Sequence, residues 1–169
     1  MKTILDSYQL NLTIQRLAYE IIERHDDLSE MVLIGIQPRG VFLSDRIVAH
    51  IRQLYPSVPL KYGKLDITFY RDDVRGELHQ ANETDIPFSI ENKRTILIDD
   101  VLYKGRTTRA ALDALLAFGR PLQVELCVLI DRRFSRELPI QPDYCGKAID
   151  SIMSQRVTVK WDKEEVVLF

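Results

Sequence analysis

Apolar runs without polar alternation recur along the chain, and each ends in a tight turn. Residues 32–36 (VLIGI), 95–98 (TILI) and 124–130 (VELCVLI) are such runs. Strands covered on both faces read this way, because both sides of the pleat meet apolar layers in a parallel sheet. Between these runs the period changes to that of a helix. From about Ser7, the residues Ile14, Leu17, Ala18, Ile21 and Ile22 share one face, while Arg16, Glu20, Glu23 and Arg24 lie off it. Leu43, Ile47, Val48, Ile51 and Leu54 predict a second helix. Ala110, Ala111, Leu112, Ala114, Leu115, Leu116 and Ala117 predict a third. Leu65, Ile67 and Phe69 alternate with Asp66, Thr68 and Tyr70, which predicts a half-buried strand. Residues 156–160, with Val157 and Val159 alternating, and residues 166–169 predict two more strands. Strands alternating with helices predict an α/β fold, an open and mainly parallel twisted sheet with helices on both faces.

The 169 residues are 46% hydrophobic and 28% charged, with no repeat, linker or low-complexity tract, so one domain over 1–169 with a real core is expected. A net charge of −2 offers no global attraction to nucleic acid, so any RNA site must be a local basic patch. Two cysteines are too few for a disulfide framework. Cys127 reads as a buried small hydrophobe in a strand, and Cys145 as part of a Tyr-Cys-Gly turn. No apolar run reaches membrane length and the N-terminus does not read as a signal peptide, so a cytoplasmic protein without a membrane partner is expected.

The chemistry gathers after the strand at 95–98. Asp99 and Asp100 follow it, then a loop centred on Gly105 with hydroxyls at Thr107 and Thr108, then the third helix. Ligands of open α/β sheets sit at the carboxyl ends of strands. A glycine-containing loop entering a helix offers free N–H groups and the positive end of the helix dipole to an anion. Neither Gly-x-x-x-x-Gly-Lys-[Ser/Thr] nor Gly-x-Gly-x-x-Gly is present. Two acids at a strand end often only turn the chain. Here strand, spacing and the Gly-x-Thr-Thr turn agree on a phosphate cradle beside an acid pair. A second strand–turn–helix passes through Gln37, Pro38, Arg39 and Gly40. Arg39 can bind a phosphate bidentately and Gly40 permits close backbone approach, although Pro-Arg-Gly alone is an ordinary turn. Residues 71–87, about 17 polar positions without a period, read either as a functional loop or as a disordered excursion.

Over residues 95–108 the chain resembles the phosphoribosyl-pyrophosphate (PRPP) signature of type I phosphoribosyltransferases. The variant at 99–107 (DDVLYKGRT), with YRDD at 70–73 and RELPI at 136–140, resembles the pyrimidine-operon attenuator family (PyrR), whose members are also uracil phosphoribosyltransferases. The resemblance implies the type I fold, with a small hood from the two chain ends over the sheet's carboxyl edge. It implies transfer of uracil onto PRPP to give UMP and pyrophosphate. Asp99 and Asp100 would hydrogen-bond the ribose hydroxyls and touch Mg²⁺ only through water, the ion arriving on PRPP. Lys104, Gly105, Arg106, Thr107 and Thr108 would hold the 5′-phosphate. Gln37, Pro38, Arg39 and Gly40 would hold pyrophosphate. A loop opened by Tyr70, Arg71, Asp72 and Asp73 would close over PRPP, with Arg71 joining Arg39 and the acids as a catalytic residue. Val101, Tyr103, Ile130, Asp131 and Arg132 would form the base pocket, read largely through backbone groups. Tyr103 stands where purine-specific relatives carry Asp, which weighs against a purine. Lys104 replaces the family's usual Thr; it either adds charge near the phosphate or points to solvent.

The same family binds the leader messenger RNA of its pyrimidine operon when UMP is bound, and forms dimers and tetramers. Arg16, Arg24, Arg136 and Lys147 keep the basic character of its RNA face. Tyr19 stands where His is common and Gln141 where Arg is common, and residues 132–135 (RRFS) differ from a shorter family segment. Each lost phosphate contact weakens RNA binding. A uracil enzyme that also regulates through RNA is therefore weighed against a phosphoribosyltransferase for another base with no RNA role.

Overall fold

The computed structural model describes residues 1–72 and 83–169. Five parallel strands form the main sheet: β2 (Met31–Ile36), β3 (Lys61–Leu65), β4 (Arg94–Leu102), β5 (Gln123–Arg133) and β6 (Tyr144–Asp150), in the order β3-β2-β4-β5-β6. Helices α1 (Ser7–Arg24) and α2 (Arg39–Leu54) cover one face, and α3 (Arg106–Leu115) the other. The apolar runs read as double-sided strands are double-sided. In β2, Met31 and Leu33 pack with Leu17, Ile21, Leu43 and Ile47, whereas Val32, Ile34 and Ile36 pack with Ala110, Ala111, Ala114 and Leu115. Every residue of β2 is buried, so at about 25 cal/mol per Å² of apolar area this strand contributes strongly to core stability.

Helix α1 starts where a capping box stops the strand before it. Asp6 Oδ1 accepts from the Gln9 N–H at 2.8 Å, and Gln9 Oε1 accepts from the Asp6 N–H at 3.2 Å. The two chain ends meet in a separate antiparallel sheet, β1 (Lys2–Leu5), β8 (Glu165–Leu168) and β7 (Val157–Lys160), the hood implied by the resemblance.

Several elements differ from the sequence reading. The strand expected around Leu65, Ile67 and Phe69 ends at Leu65, and a 3₁₀ turn follows over Thr68–Tyr70 that leaves Phe69 85% exposed. Its partner β2 also stops there, the Gln37 N–H making the last bond to the Leu65 carbonyl at 2.9 Å. Asp66 then accepts from the Thr68 hydroxyl at 2.8 Å, the local side-chain bonding that competes with a ladder. Strand β4 runs four residues past Ile98, because β5 keeps pairing with it (Asp99 with Val128, Leu102 with Asp131) after β2 has left. Cys145 lies in edge strand β6 rather than in a turn. Part of the expected loop is tied down. Lys64 and Asp85 exchange both backbone hydrogen bonds at 2.8 Å. Among the described residues, no helix is long and apolar enough to cross a membrane.

Candidate active site

The acid pair stands where β2 has ended and β5 has not. Asp99 and Asp100 are both buried, at 8% and 5% exposure, at the carboxyl edge of the sheet. Asp99 Oδ1 accepts from the Asp100 N–H at 2.9 Å. Asp100 Oδ2 accepts from Arg39 Nε at 2.8 Å, and Arg39 Nη2 also donates to the Val159 carbonyl of the hood at 3.1 Å. Burial first, and the Asp100 charge second, push the Asp99 carboxyl well above the usual carboxylate range, against Arg39 and Arg71. Burial also raises Asp100, and outweighs the charge and hydrogen bond of Arg39. Two raised acids side by side form a site poised to take a cation or hydroxyl donors.

Gly40 brings α2 against these acids. A Cβ there would lie 2.4 Å from the Ile98 carbonyl oxygen and 3.1 Å from Asp99 Cα. The close approach is thus to β4 itself. Gln37 is bonded through its side chain to the Glu83 carbonyl at 3.0 Å, and Pro38 precedes α2 with no side-chain cap.

Beside the acids lies the loop into α3. Gly105 takes φ 94°, the left-handed region that favours glycine, and α3 has no side-chain cap. Its first N–H groups are therefore left for an anion. A cavity of about 100 Å³ opens onto them, lined by Arg71, Asp99, Val101, Leu102, Tyr103 and residues 104–108. Lys104 and Arg106 are both paired with Glu137. Lys104 neither stands free beside the phosphate position nor reaches out to solvent alone. Tyr70 ends the 3₁₀ turn, Arg71 enters the cavity, and Asp72 accepts from Arg106 Nη1 at 3.0 Å. Asp73 lies outside the described residues.

The proposed base residues separate into two groups. Val101 and Tyr103 are half-buried at the cavity, whereas the Ile130 side chain is sealed in the core. Asp131 accepts from Arg136 Nη2 at 2.6 Å. Arg132 lies under the Tyr103 ring, 3.9 Å from its centroid, and is buried. It donates to Ser151 Oγ at 2.9 Å and to the Ile152 and Gln155 carbonyls at 3.2 and 2.9 Å. One guanidinium thereby ties the aromatic wall to the segment before β7. Arg132→Ala should cost about 3 kcal/mol of stability and accelerate hydrogen exchange over residues 151–155, measured by denaturation and exchange mass spectrometry.

The four basic positions proposed for RNA are each engaged by groups of the protein itself. Arg16 pairs with Glu20 and bonds the Gly146 carbonyl; Arg24 faces Asp143 at 3.8 Å; and Lys147 bonds the Ile4 carbonyl at 3.0 Å, all along α1 and β6. Arg136, half-buried at a cleft it shares with Cys145, donates to the Ile140 and Tyr103 carbonyls at 2.8 and 2.6 Å and to Asp131. Among the described residues no cluster of three or more His, Cys, Asp or Glu side chains is placed to hold a metal. The contacts of Glu137 and of the Val159 carbonyl have no local sequence signal, since their partners lie 31 to 120 residues away.

Paired acids at the carboxyl edge of the sheet, a glycine-opened helix beside them and a hood above define a type I phosphoribosyltransferase, and the chain belongs to that family: the phosphoribosyl transferase domain matches residues 1–164. Within the family it is 42% identical to the "Bifunctional protein pyrR" of Enterococcus faecalis, over 97% of this chain and 92% of that protein. It is 47% identical to the "Bifunctional protein PyrR" of Deinococcus deserti, over 94% and 86%. Among solved structures, a hypoxanthine phosphoribosyltransferase from Staphylococcus aureus superposes with a TM-score of 0.69 at 22% identity, covering 90% of this chain and 80% of that one. That likeness concerns the fold alone.

Proposed function

We propose that the chain is a uracil phosphoribosyltransferase of the PyrR type that also regulates pyrimidine genes as a UMP-responsive RNA-binding protein. The observation that carries the enzyme reading is the shared cavity, in which the buried Asp99 lies beside the uncapped start of α3. The relatives called bifunctional, identical at 42–47% over nearly the whole chain, support the combined role.

In the reaction a bond forms from uracil N1 to the ribose anomeric carbon as the bond from that carbon to pyrophosphate breaks. Pyrophosphate keeps the bonding pair, and the N1 proton passes to water or to the departing pyrophosphate. Positive charge builds on the ribose as negative charge builds on the leaving group, so fixed charges aimed at both ends lower the barrier. Asp99 and Asp100 would bond the ribose hydroxyls and place negative charge beside the developing cation. Arg39, fixed between Asp100 and the hood, would hold pyrophosphate. Residues 104–108 would hold the 5′-phosphate, and Val101 and Tyr103 would face the base. The two carboxylates, hard oxygen donors that form no three-acid cluster among the described residues, fit a Mg²⁺ held chiefly by the substrate's phosphates and reached through water. The ion would neutralise charge on the leaving pyrophosphate.

Tyr103 favours a pyrimidine over a purine, because a half-buried aromatic backed by Arg132 offers stacking rather than a carboxylate partner. RNA contact would fall to Arg16, Arg24 and Lys147 along α1 and β6, with Arg136 at the neighbouring cleft holding its shape through Asp131 and the Tyr103 and Ile140 carbonyls. Assembly into dimers or tetramers and residence in the cytoplasm belong to the same reading.

A gel shift against the operon leader of the source genome, with and without UMP and at two salt concentrations, tests the regulator. Uracil-dependent pyrophosphate release from the same preparation tests the enzyme. A UMP-enhanced shift that weakens with salt is expected beside uracil turnover. Turnover of hypoxanthine but not uracil would overturn the base assignment, and turnover without a shift would confine the chain to catalysis.

A further inference from the structure

The phosphate cradle is supplied with an anion of its own. Glu137 Oε1 lies 2.9 Å from Lys104 Nζ and Oε2 lies 2.7 Å from Arg106 Nε, so one carboxylate bridges both cations of the loop. A free surface pair of this kind would contribute little. This one is held in place by the backbone. The Glu137 and Leu138 N–H groups both donate to the Lys104 carbonyl, at 2.9 and 3.3 Å. Arg136 Nη1 donates to the neighbouring Tyr103 carbonyl at 2.6 Å. Leu138 and Ile140 close over Gly105, where a Cβ would meet Ile140 Cγ1 at 3.1 Å. The segment carrying the carboxylate is thus strapped to the loop whose cations it binds. Lys104 first, then Arg106, hold the Glu137 carboxyl below its usual range. The same two cations line the cavity at the start of α3, with Asp72 on the other side of Arg106 at 3.0 Å.

We propose that Glu137 is an internal competitor for the phosphate subsite, a specificity-determining residue that sets how tightly the site holds a phosphoryl group. The inference rests on reading residues 104–108 as that subsite. A phosphoryl group on the free N–H groups of α3 draws Lys104 and Arg106 toward it, and Glu137 draws them away. Two anions that share the same cations weaken each other's hold. PRPP and UMP both place a phosphate in this cradle, so Glu137 loosens both and leaves uracil untouched. It also explains Lys104: the extra cation arrives with its charge already balanced. The consequence is fast release of UMP and an occupancy that follows its concentration.

Isothermal titration calorimetry of the full chain with UMP, and separately with inorganic phosphate, tests this in wild type, Glu137→Gln, Glu137→Asp and Asp113→Asn. Asp113 lies on α3 beside Arg109, 3.9 Å away and outside the strap, so its loss changes net charge equally without touching the two cations. Glu137→Gln should bind UMP about tenfold tighter and lower the KM for PRPP by a similar factor, with the KM for uracil unchanged. The gain should shrink at high salt. Glu137→Asp, which keeps the charge but shortens its reach, should fall between, and it carries the test if Glu137→Gln folds poorly. Asp113→Asn should stay within about twofold of wild type, as expected of an exposed charge outside the site. Unchanged or weaker UMP binding in Glu137→Gln, beside a wild type that binds, would overturn the proposal. So would equal tightening in Asp113→Asn, which would mean only bulk charge. If wild type neither binds UMP nor releases pyrophosphate with uracil, the reading of the cradle fails first and the proposal falls with it.

Discussion

Asp100→Asn is expected to lower kcat/KM for uracil transfer by about a hundredfold to a thousandfold, while Asp99→Asn should do the same and also stabilise the empty protein. The activity loss follows from the loss of a negative charge aimed at the ribose as it becomes cationic. The stability gain follows from burial. Asp99 is 8% exposed, and desolvation followed by the Asp100 charge raises its carboxyl well above the usual range. An unfolded carboxyl titrates near pH 4, roughly, and the native one titrates higher. Between these two values the native state binds more protons than the unfolded state, so stability falls as pH rises through that window. Asparagine never ionises and keeps an oxygen to accept the Asp100 N–H, the bond now 2.9 Å long. Asp99→Asn should therefore be about 1 kcal/mol more stable than wild type at pH 7, and the difference should vanish in acid. Urea denaturation at pH 4 and pH 7, with uracil-dependent pyrophosphate release measured beside it, checks both halves. Unchanged kcat in either variant would remove the ribose assignment. Unchanged stability in Asp99→Asn would mean that the acids stay solvated.

The parts of this site readable from sequence are those with a local cause. An apolar run without alternation followed by two acids marks the carboxyl edge of the sheet at β4, since buried carboxylates in a strand covered on both faces call for a function, although the strand itself continues to Leu102. Gly105 before a helix marks the anion end of α3. The start of α3 reads four residues late because residues 106–109 are polar, three of them turned to the cavity, and the apolar period begins only at Ala110. Strand β6 reads as a turn for a related reason. It is an edge with only Tyr144 and Ile149 buried, so neither periodicity nor a continuous run appears. Long-range partners are the hardest to read. Arg136 looks like a surface cation, but its guanidinium meets Tyr103, 33 residues away, and Asp131, five away. Glu137 looks like any loop acid, yet it bridges Lys104 and Arg106. Such pairings depend on where β4 and β5 end relative to each other, and no window of a few residues contains that information.

Gly40→Ala should damage stability and activity together. On helix propensity alone, replacing glycine by alanine in an exposed helix gains about 1 kcal/mol. Here the added Cβ would stand 2.4 Å from the Ile98 carbonyl oxygen, 3.1 Å from Asp99 Cα and 3.3 Å from Asp99 Oδ1. Two of those atoms are backbone of the central strand, which cannot turn aside as a side chain can. Helix α2 must then retreat from β4 and take Arg39 with it, breaking the register that places Nε 2.8 Å from Asp100 and Nη2 3.1 Å from the Val159 carbonyl. Overpacking of this kind costs about 1–3 kcal/mol. A displacement of catalytic groups by about 1 Å can cost roughly a hundredfold in rate. Gly40→Ala should accordingly lose about 2 kcal/mol in urea denaturation and at least about a hundredfold in kcat/KM. The pair of measurements separates two roles for the glycine. If Gly40 served only to let pyrophosphate approach the backbone, the KM for PRPP would rise and stability would hold or improve. A fall in both means that Gly40 sets the distance between the two halves of the site, the acids on β4 and the arginine on α2.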